Sequence, residues 1–274
     1  MTLVNGLLYR VFELLLRPLG PLPIFVSLAI VSLVTAVAIL IVMRATSNQQ
    51  ALAATERQMY ADLLEMRLFK DDLSAMWRAQ LSMLRHNAGY VRLSLAPALW
   101  TVVPVMLGVA QLQCYFGYSG AGIREPVIVT ATLKSRGEFE NIALDLPPGT
   151  RLDTPAIWFP ALQQVVWRVV AESTGEYVLG LRAGGIIYGK TLQVSNGLAR
   201  RSPVRPGASL IDEVLYPSEA PLPDSAPFAS IGVAYPDRRI AVFGLQVPWF
   251  DVYFVLSVVF ALGLKRPLAG RSKF

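Results

Sequence analysis

LPIFVSLAIVSLVTAVAILIVM (22–43) and LSLAPALWTVVPVMLGVAQLQCYF (93–116) decide how the rest of the chain is read. Neither contains Asp, Glu, Lys or Arg, and both exceed the ~20 residues a helix needs to cross ~30 Å of hydrocarbon. Two transmembrane helices are therefore expected. Between them, residues 44–92 are polar, and Ala45 to Asn87 contains neither Gly nor Pro but is rich in good helix formers. A helical arm projecting from the membrane follows.

The arm carries a stripe: Leu52, Met59, Leu63, Met66, Leu73, Met76 and Leu84 recur at threes, fours, sevens and an eight, which leaves Arg57, Asp62, Glu65 and Arg78 for water. One straight helix of that length would reach ~65 Å from the bilayer, yet the second span has to begin beside the first. The arm is therefore expected to fold back at Lys70-Asp71-Asp72, where an Asp caps the helix starting at Leu73. Met59, Met66, Met76 and Met83 would offer an adaptable surface for apolar segments. An antiparallel coiled-coil spacer accounts for the same pattern.

The stretches GPLPIFVSLAIVSLVTAVAILIVMRAT (20–46), ERQMYADLLEMRLFKDDLSAMWRAQLSMLRHN (56–87) and APALWTVVPVMLGVAQLQ (96–113) together resemble the YidC/Oxa superfamily of membrane protein insertases. The pattern is most similar to the three-span members, the archaeal YidC-like proteins and the insertase subunit of the ER membrane protein complex. With the last span these stretches cover about half the chain. The resemblance implies a cytoplasmic hairpin that captures hydrophobic segments and a polar groove that passes them on. It implies as partners nascent membrane proteins, a small membrane partner subunit and the ribosome. One position departs from the family pattern: those insertases carry an arginine inside the first span, and here no charge precedes Arg44.

Composition supports a membrane protein independently, with 54% hydrophobic and 16% charged residues, against ~25% charged in soluble domains. The single cysteine, Cys114, excludes an intramolecular disulfide, and the single histidine, His86, excludes a multi-histidine metal site. No Ser/His/Asp set, phosphate loop or CxxC is recognisable, so neither enzymatic turnover nor a cofactor is expected.

Residues 1–21 predict an amphipathic interfacial helix, with Leu7, Leu8, Val11, Phe12, Leu15 and Leu16 opposing Arg10, Glu13 and Arg17, ended by Pro18, Pro21 and Pro23. A signal peptide is the competing reading, but no charged start precedes the apolar run and no small-x-small cleavage site follows it. In the second span Pro97, Thr101, Pro104, Gly108 and Gln111 share a stripe, and Ala29, Ser32, Thr35 and Ala36 do so in the first. Ser32, Thr35, Thr101 and Gln111 are the candidate lining of a hydrated groove, with Arg44 and Arg92 at its mouth. Close packing through small residues explains these stripes equally. Thr101 and Gln111 are both expected to tolerate Leu.

From residue 117 to 246 the period changes to two. VIVTATLK (127–134), NIALDL (141–146), AIWF (156–159), QVVWRVVAE (164–172), GEYVLGLRA (175–183) and YGKTLQV (188–194) are separated by turn residues. They predict an all-β sandwich, and Trp167 with Tyr177 resembles the core Trp and tyrosine corner of immunoglobulin-like domains. After Ser202, Pro203, Pro206, Pro217, Pro221, Pro223 and Pro227 predict an irregular segment, followed by a final strand from Arg239 to Gln246. The third span is expected at 247–264, with Trp249 and Tyr253 as interface anchors and a basic tail at 265–274.

Lys and Arg beside the spans set orientation. They concentrate in the arm (Arg44, Arg57, Arg67, Lys70, Arg78, Arg85, Arg92) and the tail (Lys265, Arg266, Arg271, Lys273), while 117–239 is balanced. The arm and the C-terminus are therefore expected in the cytoplasm, and the N-terminus and the β-domain outside the cell (inner) membrane. The net charge of +6 suits anionic lipids or ribosomal RNA, but a role as topology determinant alone explains it better. The fold class expected is thus α-helical membrane protein, three spans plus a cytoplasmic hairpin, with an inserted immunoglobulin-like sandwich. Two functions compete: an insertase or membrane chaperone, and a non-enzymatic adaptor that displays the β-domain.

Overall fold

The computed structural model describes residues 3–68, 73–135, 142–195 and 197–269. Six helices and ten strands follow in the order α1 (Leu3–Leu16), α2 (Ile24–Thr46), α3 (Gln49–Leu68), α4 (Leu73–Phe116), β1 (Pro126–Leu133), β2 (Ala143–Asp145), β3 (Thr150–Phe159), β4 (Gln164–Ala171), β5 (Gly175–Ala183), β6 (Ile186–Val194), β7 (Val204–Pro206), α5 (Leu210–Leu215), β8 (Phe228–Val233), β9 (Arg239–Val242), β10 (Leu245–Pro248) and α6 (Trp249–Ala269). The chain forms two compact units, one of Met1–Ser32 with Leu107–Leu256 and one of Leu33–Met106 with Ser257–Phe274.

Two helices among the described residues are long and apolar enough to cross a membrane, α2 and the stretch 77–116 of α4. The arm and the second span do not separate at residue 92. They form one helix of 44 residues, because nothing between Leu73 and Leu93 breaks it. Pro97 and Pro104 lie inside that helix. Each lacks the N–H that would bond the carbonyl four residues back, and the Thr101 hydroxyl donates to Pro97 O at 2.8 Å. The bend expected at Lys70-Asp71-Asp72 lies outside the described residues.

In the first unit, β3-β4-β1-β8-β7 form one sheet, β2-β5-β6 a second and β9-β10 a hairpin. Every pairing is antiparallel. Period-two alternation turns Val127, Val129, Ala131 and Leu133 of β1 inward beside Val165, Trp167 and Val169 of β4, where they share one core with Leu179 and Leu181 of β5 and Leu192 and Val194 of β6. Trp167 is buried in that core, and the Tyr177 hydroxyl donates to Ser173 O at 3.0 Å.

Two expectations change here. The proline-rich stretch is not wholly irregular, since it contains β7, α5 and β8, and β8 pairs with both β1 and β7. The final strand is a hairpin whose two turn residues, Phe243 and Gly244, have φ of 50° and 83°, as a two-residue turn matching strand twist requires. A buried ion pair ties the proline-rich stretch to β6. Lys190 Nζ donates to Glu219 Oε2 (2.5 Å), Ser202 O (2.6 Å) and Ser202 Oγ (2.9 Å), and Glu219 Oε1 accepts from Thr191 N at 2.7 Å. All three ammonium protons are thereby used, as burial of a charge demands.

A second core gathers Leu16 of α1, Leu28 of α2, Leu112 and Phe116 of α4, Ile240 of β9 and Trp249 and Tyr253 of α6. The expected third span is shortened at its start, because Val247 and Pro248 belong to β10 and α6 begins at Trp249. Trp249 and Tyr253 are buried rather than standing as interface anchors, and Trp249 Nε1 donates to Gln113 Oε1 at 2.9 Å. The N-terminal helix is anchored on one face: Asn5 donates to Glu213 O and accepts from Gln111 Nε2, while Leu7, Leu14 and Leu15 stay exposed.

Candidate functional site

In the arm, α3 runs alongside the polar half of α4 in the opposite direction. Asp62 opposes Ser82 and His86, and Glu56, Met59, Tyr60 and Leu63 share a cleft of ≈ 310 Å³ with Met83 and Tyr90. This is the antiparallel pairing of a helical hairpin.

Asp62 is not left for water. The residue is only 7% exposed; Oδ1 accepts from Ser82 Oγ at 2.9 Å and Oδ2 lies 2.6 Å from His86 Nδ1. Ser82 and His86 are one turn apart on α4, so a single carboxylate between them clamps α3 to α4. The set contains the residue types of a hydrolytic triad but not its wiring. The hydroxyl donates to the carboxylate rather than to the imidazole, so no base is placed to take the serine proton. Sequence spacing concealed the cluster because Asp62 reaches His86 only across the hairpin.

Met59, Met66 and Met83 are half-buried, and the side chain of Met76 lies outside the described residues. The fully exposed apolar surface of the arm is built instead from Tyr60, Leu64, Leu68, Trp77, Leu81 and Leu84, with Leu68 76% and Trp77 70% exposed. These large apolar side chains left exposed on a polar element make the arm the candidate interaction surface of the chain.

The residues expected to line a groove fall into separate surroundings. Ser32 is buried and donates to Tyr253 O at 3.4 Å. Thr35 and Thr101 are half-buried, and Arg44 and Arg92 are exposed. Gln111 is 1% exposed and committed at both ends, donating to Asn5 Oδ1 and accepting from Arg200 Nη2, each at 2.9 Å. The Arg200 guanidinium also lies 4.0 Å from the centroid of the Tyr9 ring. Gln111 therefore fastens α1 and the β-domain to α4, which its sequence position one turn from the end of a span did not reveal. Leucine there would strip two partners at once, so the expected tolerance of Gln111 to Leu does not survive.

Within the β-domain, burial would raise the Glu219 carboxyl, but the Lys190 ammonium and the hydrogen bonds from Lys190, Thr191 and Ser202 outweigh it and hold the group below its ordinary value. Among the described residues no group of three or more His, Cys, Asp or Glu could hold a metal ion. Comparison with family models, with curated proteins and with solved structures finds no match to this chain.

Proposed function

We propose that the chain is a multi-pass membrane protein that receives hydrophobic segments on its helical arm and assists their insertion into the bilayer. The observation that carries this reading is the unpartnered apolar surface of the α3/α4 hairpin, Leu64, Leu68, Trp77, Leu81 and Leu84, on an otherwise polar element. A spacer has no use for such a surface, whereas a device for transient capture of varied apolar segments requires one.

The third span is α6, whose Phe254, Val255, Val259 and Leu262 are exposed like Val34 and Ile41 of α2 and Leu99, Val103 and Met106 of α4. Exposed leucine, valine and phenylalanine on three helices are costly in water and at home in lipid. With basic residues concentrated in the arm and tail, the arm faces the cytoplasm and the β-domain the outside of the cell membrane. The likeness to YidC/Oxa insertases supports the same reading. It suggests newly made membrane proteins as substrates, a small membrane subunit and the ribosome as partners, and no enzymatic turnover.

The test is photocrosslinking during translation from probes at Leu64, Leu81 and Leu84, with Gln58 as a control. Adducts to nascent membrane proteins from the apolar positions support capture. Adducts confined to one stable folded partner favour the adaptor, a reading that the Asp62 clamp, which stiffens the hairpin as a spacer would be stiffened, also accommodates.

A further inference from the structure

In the first unit a pocket of ≈ 370 Å³ is lined by Ile24 and Phe25 at the start of α2, by Ser119 and Gly120 after α4, and by Arg238 and Arg239 at the start of β9. Arg238 is 5% exposed. Its Nη2 makes one long bond to Gly197 O at 3.4 Å, and its buried Nη1 has no hydrogen-bond partner. Arg201 reaches the same Gly197 O at 3.0 Å, along with Ser195 O at 2.7 Å and Tyr118 O at 3.2 Å, and its Nε is likewise unpartnered.

Two buried guanidiniums thus share one carbonyl, and among the described residues no carboxylate pairs with either. Burial, then the neighbouring Arg238, lowers Arg201 to about 10, so Arg201 remains cationic at neutral pH; burial also lowers Arg238, and a guanidinium keeps its proton in proteins. Arg239 adds a third positive charge at the rim, and no acidic side chain lines the pocket. Uncompensated buried cations are expensive, and orphaned guanidinium N–H groups favour a multidentate oxyanion above other partners. Gly120 is required for this arrangement, since a Cβ there would stand 1.7 Å from Ser195 O and 2.9 Å from Arg201 Nη2.

We propose that this pocket binds a phosphate group, supplied by the headgroup of an anionic phospholipid. Arg238 and Arg239 contact the phosphate oxygens, the Ser119 hydroxyl offers a further donor, and Arg201 supports the site from behind through the shared carbonyl. The lipid source follows from the apolar part of the lining. Ile24 and Phe25 are the first two residues of the apolar helix α2, so the pocket offers cationic groups to a head and apolar side chains to the acyl chains attached to it. Its volume lies in the range of small-molecule sites, about 300–1,000 Å³. This choice of source rests on the membrane reading above, but the phosphate chemistry does not.

The full chain, purified in detergent, is titrated with inorganic phosphate while thermal unfolding is followed. In parallel it is placed in nanodiscs of mixed phosphatidylcholine and phosphatidylglycerol, and co-purifying lipid is counted by native mass spectrometry. Retention of phosphatidylglycerol over phosphatidylcholine is expected, falling about tenfold, the equivalent of ~1.4 kcal/mol, in Arg239→Gln. Arg239 is exposed, so that variant keeps the fold; Arg238→Gln should abolish the preference, and Arg44→Gln on α2 should not change it. Equal loss in Arg44→Gln and Arg239→Gln reduces the effect to general surface charge and overturns the site. Stabilisation by phosphate without lipid preference overturns the lipid source, and no response to either overturns the proposal. Failure of the chain to remain in membranes after alkaline extraction would instead overturn the membrane reading, leaving the phosphate titration to judge the pocket.

Discussion

Asp62 and Glu219 are each a carboxylate whose surroundings are built from distant sequence. Asp62→Ala leaves Ser82 and His86 without their shared acceptor, and the loss is expected at about 1–3 kcal/mol, read as faster amide exchange confined to α3 and the polar half of α4. For Glu219 the sign follows from its depressed folded-state pKa. Its contribution is complete above the ordinary value of 4.5 and is lost as pH falls below it toward the lower folded value. Tryptophan fluorescence of the full chain in denaturant should show the wild type losing stability below pH 4.5. Glu219→Gln, which strands the fully buried Lys190, should be less stable by about 3–5 kcal/mol at pH 7 and have a shallower acid slope.

At the scale of elements, α4 is a single helix with two characters. Thr101 bonds only to its own turn, whereas Gln111 joins α4 to Asn5 and Arg200. Thr101→Leu should therefore alter unfolding in detergent by no more than about 0.5 kcal/mol, while Gln111→Leu costs about 1–3 kcal/mol for the stranded partners. A reduced insertion rate in Thr101→Leu with unchanged stability supports a polar path along α4; an unchanged rate removes Thr101 from it. Strand β8 is the opposite case. Its Phe228, Ile231 and Val233 are inward-facing, but Ala229, Ser230 and Gly232 between them and prolines on either side gave the stretch the composition of a loop. Pairing on both sides, to β1 and β7, supplies what its own propensity does not.

For the whole molecule the decisive measurement is topology. With the buried Cys114 replaced by Ala, a cysteine at Ser74 should be protected from an impermeant thiol reagent in intact cells, and one at Ser173 should be labelled. Labelling of Ser74 and protection of Ser173 would invert the orientation and with it the cytoplasmic role of the arm. The long helices, the change to period two at residue 117 and most strands of the β-domain were legible in the sequence, because hydropathy and side-chain alternation are local properties that survive without a tertiary partner. The Asp62–Ser82–His86 clamp, the burial of Gln111 and Trp249, the Lys190–Glu219 pair and the arginines around Gly197 were not legible. Each joins residues far apart in the chain, and a polar side chain is read as solvated until the fold removes the water and supplies the partner.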